Sequence, residues 1–330
     1  MKKIINAPER YVEDMLRGIY AAHGDLVKCA AGDPRCYCTA HKKPGKVAIV
    51  TGGGTGHLPL FLGYVGDGLI DGCGVGGVFQ SPSPEQIYEI CREVNGGAGV
   101  LFLYGNYTGD IMTFDMAADL CELDDIPTAS IVGADDVNSH KDPAVRRGVA
   151  GIYFMYKAAG AEADAGGDLA AVRAAAQLAG ENTRTVGFAL TPCVIPEVGH
   201  PNFTLGEDEM AMGMGIHGEP GVWNGPLKPS HEIAAEAVQT LLADMPIAAG
   251  KEVAILVNGL GATSLEELYI RSGDVTQELE KRQIKIFRTI VGEYATSMEM
   301  AGASVSICRL NDTLRCYLQH PVRTPFIREN

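Results

Sequence analysis

The chain has 330 residues, of which 46% are hydrophobic, and this is enough apolar content for one large domain or two ordinary ones. A formal net charge of −14 provides no basic surface for nucleic acid, and no apolar run approaches the roughly 18 residues of a membrane span. The N-terminus lacks the apolar region of a signal peptide. Nine cysteines form an odd set, mostly in apolar segments, which predicts reduced thiols and a cytoplasmic location.

The first half of the chain alternates predicted strands with predicted helices. The strands cover 46–50, 99–104 and 127–132, and the helices cover 85–94 and 111–123. The first of these helices follows a capping serine, Ser83, and a proline at its first position. This alternation predicts an α/β fold with a largely parallel sheet flanked by helices, in which ligands bind beyond the carboxyl ends of the strands.

The second half of the chain shows a less regular alternation. An alanine-rich, mostly helical stretch covers 146–179. Beyond it, predicted strands cover 185–190, 252–257, 284–291 and 304–310, and predicted helices cover 230–242 and 265–270. We therefore predict two domains. Residues 1–184 form the α/β domain with the glycine-rich loops, and residues 185–330 form a second, α+β domain.

A glycine-rich loop, TGGGTGH, follows the first predicted strand and ends at His57. A P-loop requires a lysine that this loop lacks, and a dinucleotide-binding fingerprint requires a glycine where His57 stands. The loop is therefore expected to bring backbone close to a small ligand, with an imidazole beside it. A plain glycine turn with a surface histidine remains open on the spacing alone.

Two further polar residues stand in or beside glycine-containing turns. Asp110 follows the strand at 99–104, where it would reach the same edge of the sheet, although it could also simply cap the next helix. His217 lies among four glycines of 213–221, where a loop histidine without a role is the alternative. The cysteines at 29, 36 and 38 lack the paired spacing of a zinc module, so no metal site is expected.

Six longer motifs resemble those of the substrate-binding subunit K of dihydroxyacetone kinases, in the same order and over nearly the whole chain. They are TGGGTGH (51–57), FQSPSPEQI (79–87), NYTGD (106–110), RRGVAG (146–151), NFTLGEDEMAMGMGIHGEPG (202–221) and NGLGATSLEELY (258–269). Several long motifs in sequence make this a specific resemblance.

The resemblance implies a role for each candidate residue. His217 corresponds to a histidine that binds the ketone carbon of the substrate as a hemiaminal, and Asp110 to the general base for the hydroxyl that is phosphorylated. His57 corresponds to a second histidine that hydrogen-bonds the substrate. Gly54, Thr55 and Gly56 correspond to the loop that lines the pocket. The expected substrate is dihydroxyacetone or a similar small ketose.

The resemblance also implies that the phosphoryl donor lies outside this chain. ATP or ADP with Mg²⁺ is expected on a helical nucleotide-binding subunit L, which can be recharged through a phosphotransferase system; the choice of donor stays open. The chain itself is expected to hold no cofactor, to be inactive alone and to form a homodimer.

The chain departs from the family pattern at two positions. Leu58 stands where the family usually has an acid, and Gly105 stands where it usually has a lysine that reaches the substrate. Three outcomes remain open: unchanged use of dihydroxyacetone, preference for a longer ketose such as erythrulose, or a non-catalytic regulatory paralogue that senses a ketose.

Overall fold

The computed structural model describes residues 2–330, which form eight α-helices and fourteen β-strands. The strands are β1 (Val27–Ala30), β2 (Asp33–Thr39), β3 (Ala48–Gly53), β4 (Gly72–Val75), β5 (Val100–Gly105), β6 (Thr128–Gly133), β7 (Thr183–Ala189), β8 (Glu209–Met212), β9 (Trp223–Pro226), β10 (Glu252–Gly259), β11 (Lys285–Gly292), β12 (Gly302–Arg309), β13 (Val322–Arg323) and β14 (Arg328–Glu329). The helices are α1 (Tyr11–His23), α2 (Pro84–Val94), α3 (Thr108–Leu123), α4 (Ile152–Asp164), α5 (Leu169–Glu181), α6 (Ser230–Asp244), α7 (Leu265–Glu280) and α8 (Asp312–Leu318).

The first sheet has the strand order β1-β2-β4-β3-β5-β6, in which β4, β3, β5 and β6 run parallel. Its two faces are both buried. Leu101 and Leu103 of β5 belong to the core that contains α4 and α5, whereas Val100 and Phe102 belong to the core beneath α2 and α3. The predicted α/β fold with a largely parallel, helix-flanked sheet is confirmed.

The second sheet has the order β11-β10-β12-β7-β8-β9, and only β10 and β11 are parallel. Helices α6 and α7 cover one face of it, which confirms the predicted α+β character of this half. The other face contributes Ala254 and Leu256 to the core that contains α4 and α5. This core therefore includes residues from both halves of the chain. The division into domains at 1–184 and 185–330 stays a prediction.

Several elements differ from the sequence prediction. Helix α3 begins at Thr108, three residues earlier than predicted, and α7 continues to Glu280. The alanine-rich stretch is two helices, and the prediction omitted α1, β1, β2, β4, β8, β9, α8, β13 and β14. Within residues 2–330, no helix combines the length and the apolar composition needed to cross a membrane.

Candidate active site

A cavity of about 450 Å³ lies at the carboxyl ends of β3 and β5, which are parallel neighbours in the sheet. Four separate segments line it, contributing Gly54, Phe61, Phe79, Gln80, Ser81, Tyr107, Gly109, Asp110, Ile216, His217 and Glu219. The fold therefore brings together the segments after β3, β4 and β5 of the first sheet and the loop 213–221 of the second half. Three residues singled out from the sequence, Gly54, Asp110 and His217, face one cavity.

The loop after β3 is held in place by backbone hydrogen bonds, and Gly56 allows the close approach of the neighbouring segment. Thr55 N donates to Gly77 O at 2.9 Å, and Gly56 N donates to Val78 O at 2.7 Å. A Cβ atom at Gly56 would lie 2.5 Å from Cε1 of Phe79, so a larger residue would push these segments apart. Thr55 and Gly56 line a second cavity, of about 440 Å³, behind the loop, and their contact with a substrate stays a prediction.

The imidazoles of His57 and His217 meet edge to face, with their Nε2 atoms 2.9 Å apart. Nδ1 of His57 lies 2.8 Å from the carbonyl oxygen of Thr296, and because that oxygen only accepts, Nδ1 carries the hydrogen. Burial, and then the nearby His217, lower the pKa of His57 to about 3, so its ring is neutral near pH 7. The hydrogen bond between the rings therefore requires one proton between the two Nε2 atoms.

Asp110 occupies the first turn of α3 and is 5% exposed. It does not cap the helix, which was the alternative left open by the sequence: the N-cap residue is Tyr107, and it makes no side-chain cap bond. Oδ1 of Asp110 is buried without a hydrogen-bond partner. Burial raises the pKa of Asp110 to about 6, against the opposing effects of Ser81 and His217. A carboxyl group with this pKa, open to the cavity, is suited to accept a proton near neutral pH.

Aromatic rings and one carboxylate complete the surroundings of His217. The ring of Phe79 stacks on His57 with centroids 5.0 Å apart, and the ring of Tyr107 meets His217 edge to face at 4.8 Å. Glu219 accepts a hydrogen bond from Nδ1 of His217 at 2.9 Å. The sequence prediction did not include these residues, although Glu219 stands only two positions from His217.

Residues 294–298 of the second half pack behind the glycine loop that ends at His57. Met298 N donates to Gly56 O at 2.7 Å, beside the contact between Thr296 and His57. The segment is in turn organised by Asn258, whose fully buried amide accepts from the backbone N–H groups of residues 294 and 295 and donates to the carbonyl of 295, each at 2.8 Å. Thr296 binds His57 through its backbone oxygen, so the identity of its side chain does not indicate this role in the sequence.

The two positions that depart from the family pattern have different surroundings. A Cβ atom at Gly105 would lie 2.9 Å from the ring of Tyr107, whose hydroxyl donates to Gly148 O at 3.0 Å. The space above Gly105 is thus occupied by a neighbouring ring. Leu58 lines the second cavity, behind the loop, together with Glu293.

Comparison with known proteins connects this arrangement to one family. The sequence model of the Dak1 domain matches residues 17–326. The PTS-dependent dihydroxyacetone kinase 1, dihydroxyacetone-binding subunit DhaK of Listeria innocua is 44% identical, over 94% of this chain and 95% of that protein. The D-erythrulose kinase of Mycolicibacterium smegmatis is 42% identical over 98% of this chain, which spans 56% of that longer protein.

Two solved structures share the fold over nearly the whole chain. The dihydroxyacetone kinase of C. freundii, in complex with AMP-PNP and Mg²⁺, matches with a TM-score of 0.90 and 28% identity over 98% of this chain and 60% of that one. The dihydroxyacetone kinase operon co-activator DhaQ matches with a TM-score of 0.88 and 33% identity, over 94% of this chain and 96% of that one. The chain therefore belongs to the Dak1 domain family, the family of the dihydroxyacetone-binding DhaK subunits.

Proposed function

We propose that this chain is the dihydroxyacetone-binding subunit of a dihydroxyacetone kinase and holds its substrate on His217. The observation that carries the proposal is the pair of Nε2 atoms of His57 and His217, 2.9 Å apart, next to a cavity that also contains Asp110. A nucleophilic imidazole, a second imidazole that can accept the shared proton and return it, and a carboxyl group with a raised pKa are the groups that ketose capture and phosphoryl transfer require.

Capture of the ketose conserves the proton that the two histidines share. The shared proton first passes to Nε2 of His57, which leaves a lone pair on Nε2 of His217. This nitrogen then forms a bond to the ketone carbon while the carbon–oxygen π bond breaks. The released electron pair on oxygen takes up the proton, which Nε2 of His57 delivers, and a hemiaminal hydroxyl results. The new bond lies along the direction in which His217 Nε2 now points to His57, so the two rings must separate to admit the substrate.

Phosphoryl transfer then requires a base at a terminal hydroxyl of the bound ketose. Asp110 fills this role, because the residue lines the cavity that contains His217 and its buried Oδ1 has no hydrogen-bond partner. Positioning and charge stabilisation carry most of the remaining catalysis of phosphoryl transfer, and these would come from the nucleotide-bearing partner.

The donor is proposed to be ATP, or permanently bound ADP recharged by a phosphotransferase system, with Mg²⁺ on a helical subunit L. The C. freundii kinase, which is longer than this chain and was solved with AMP-PNP and Mg²⁺, supports a donor site beyond the part that matches here. A cytoplasmic homodimer that is inactive without this partner completes the proposal.

Two alternatives have supporting observations of their own. A four-carbon ketose is favoured by the absence of a lysine at Gly105 and by the 42% identity to a D-erythrulose kinase. A regulatory role without catalysis is favoured by the similarity to the DhaQ co-activator. Retention of His57, Asp110 and His217 together supports the catalytic role over the regulatory one.

The test is a reconstituted kinase assay with the purified chain, a DhaL-type partner and a phosphoryl donor. We expect turnover of dihydroxyacetone with the partner and none with ATP and Mg²⁺ alone. Turnover of D- or L-erythrulose at a higher kcat/KM would favour the longer ketose. Turnover by the chain alone would contradict the two-component proposal, and ketose binding without turnover alongside any partner would indicate the regulatory role.

A further inference from the structure

One carboxylate binds His217 at two points. Oε1 of Glu219 lies 2.9 Å from Nδ1 of the ring, and Oε2 accepts the backbone N–H of the same residue at 3.0 Å. Because both donors belong to His217, the carboxylate fixes the orientation of the His217 ring relative to the backbone of the same residue. Asn202 adds a third anchor by donating to the carbonyl oxygen of His217 at 3.0 Å.

A guanidinium and a second carboxylate stand behind Glu219. Nη1 of Arg147 lies 3.7 Å from Oε2 of Glu219, while its Nε donates to Asp136 at 3.0 Å and its Nη2 to Gly213 O at 3.1 Å. Asp136 is 2% exposed, so this support is buried. Arg147 therefore links the segment after β6 to the loop that carries His217.

Gly215, in the same loop, is the residue that allows Glu219 and Arg147 to approach each other. A Cβ atom at Gly215 would collide with Oε2 of Glu219 and with Nη1 of Arg147. Any residue other than glycine would displace the carboxylate from the ring. This steric requirement is independent of charge, and it explains the glycine two residues before His217.

We propose that Glu219, supported by Arg147, is a positioning residue that keeps the hydrogen of His217 on Nδ1 and so presents Nε2 to the ketone. This inference rests on the proposed function and deepens it. An ionised carboxylate offers only acceptors, and a lone pair on Nδ1 would face it at hydrogen-bonding distance. The Nδ1–H form is consequently favoured, and Nε2, which faces His57 and the cavity, becomes the nucleophile once the proton between the two Nε2 atoms has passed to His57.

The same carboxylate stabilises the product of capture. Once Nε2 has bonded to carbon, a ring that retains its hydrogen on Nδ1 is an imidazolium cation, and Glu219 is its direct counter-ion. The other titratable groups that face His217 are His57, Tyr107, Asp110 and, behind Glu219, Arg147. Among these groups, Glu219 accepts the hydrogen of Nδ1.

The test compares Glu219→Gln with a matched control, Glu236→Gln, in the full-length chain. Glu236 has the same 30% side-chain exposure and likewise binds a ring N–H, that of Trp223, and a cation, Lys228, away from the cavity. An amide has one acceptor oxygen for two N–H donors, so its NH₂ group must face either the ring or the backbone. Long-range ¹H–¹⁵N NMR on ¹⁵N-histidine protein reads the hydrogen on each nitrogen of His217, assigned with His217→Gln.

We expect Glu219→Gln to shift hydrogen from Nδ1 to Nε2 and to weaken dihydroxyacetone binding about ten- to hundredfold, as loss of a charge-assisted hydrogen bond implies. Glu236→Gln should change neither quantity. An unchanged tautomer in Glu219→Gln would overturn the inference, whether or not affinity falls, since a merely structural role moves stability and not the tautomer. If that variant does not fold, Glu219→Asp replaces it, and unchanged ketose affinity there overturns the inference.

The tautomer is read in the ligand-free protein, and this separates the two proposals. A wild-type chain that binds no ketose contradicts the proposed function, while the ¹⁵N spectrum still decides whether Glu219 sets the hydrogen on His217.

Discussion

Asp110 should make the protein less stable at neutral pH than at acidic pH, and Asp110→Asn should remove this effect. The carboxyl is 5% exposed, and burial raises its pKa from 3.8 to about 6. The folded state therefore binds a proton more tightly than the unfolded chain. The corresponding stability is fully present below about pH 4 and is lost as the pH rises through about 6.

The magnitude follows from the size of the shift. About 2 pKa units at 1.36 kcal/mol each correspond to about 3 kcal/mol of unfolding free energy. Asp110→Asn should thus be more stabilising at about pH 8 than at about pH 4 by up to about 3 kcal/mol. Taking the difference between the two pH values cancels the pH-independent consequences of the substitution.

The assay is urea unfolding of wild type and Asp110→Asn at both pH values, with Asp115→Asn as the control. Asp115 is an exposed residue of the same helix. With its partner and donor, Asp110→Asn should also lose transfer by on the order of 10²-fold while keeping ketose binding. If Asp110→Asn changes the unfolding free energy equally at both pH values, or if the variant turns over substrate like wild type, then Asp110 is not a buried, titrating base.

Four further predictions concern the same site. The pH profile of transfer should lose activity as the pH falls through about 6, where Asp110 takes up its proton, and a profile flat to about pH 5 would disagree. A lysine introduced by Gly105→Lys must displace the ring of Tyr107. The substitution should shift the ratio of kcat/KM values from tetrulose toward dihydroxyacetone, by about tenfold if the ammonium gains a charge-assisted hydrogen bond to the substrate. An unchanged ratio would make this position irrelevant to specificity. Asn258→Ala leaves two backbone N–H groups without their acceptor and should lower the unfolding free energy by at least about 2 kcal/mol, measured by urea unfolding, with weaker ketose binding. Gly56→Ala should weaken ketose binding in calorimetry because its methyl group would press on Phe79, and wild-type affinity would argue against that contact.

The sequence predicted those elements whose signals are local. Helix α2 has the predicted serine cap, in which Ser83 accepts from Gln86 N, followed by the expected proline. The buried strands of the parallel sheet were recognisable from apolar runs, because both of their faces pack against helices. Strand β4 has the composition GCGV, which is not typical of a strand. Its glycines are required because a Cβ at Gly74 would lie 2.5 Å from the side chain of Ile87.

The site itself was only partly readable from the sequence. His57, Asp110 and His217 stand in or beside distinctive glycine-containing turns, and the two turns after β3 and β5 were expected at the same sheet edge. The orientation of the imidazoles depends on long-range contacts: His57 binds a backbone oxygen 239 residues away, at Thr296. Neither that contact nor the role of Asn258 behind it follows from local spacing.

The most direct test of the account is a ¹³C NMR spectrum of the chain mixed with dihydroxyacetone labelled at its carbonyl carbon. We predict a protein-bound signal that has moved from the carbonyl region to the region of tetrahedral carbons, and its loss in His217→Gln. A bound signal that remains in the carbonyl region would contradict covalent capture by His217, as would a tetrahedral signal that survives in His217→Gln.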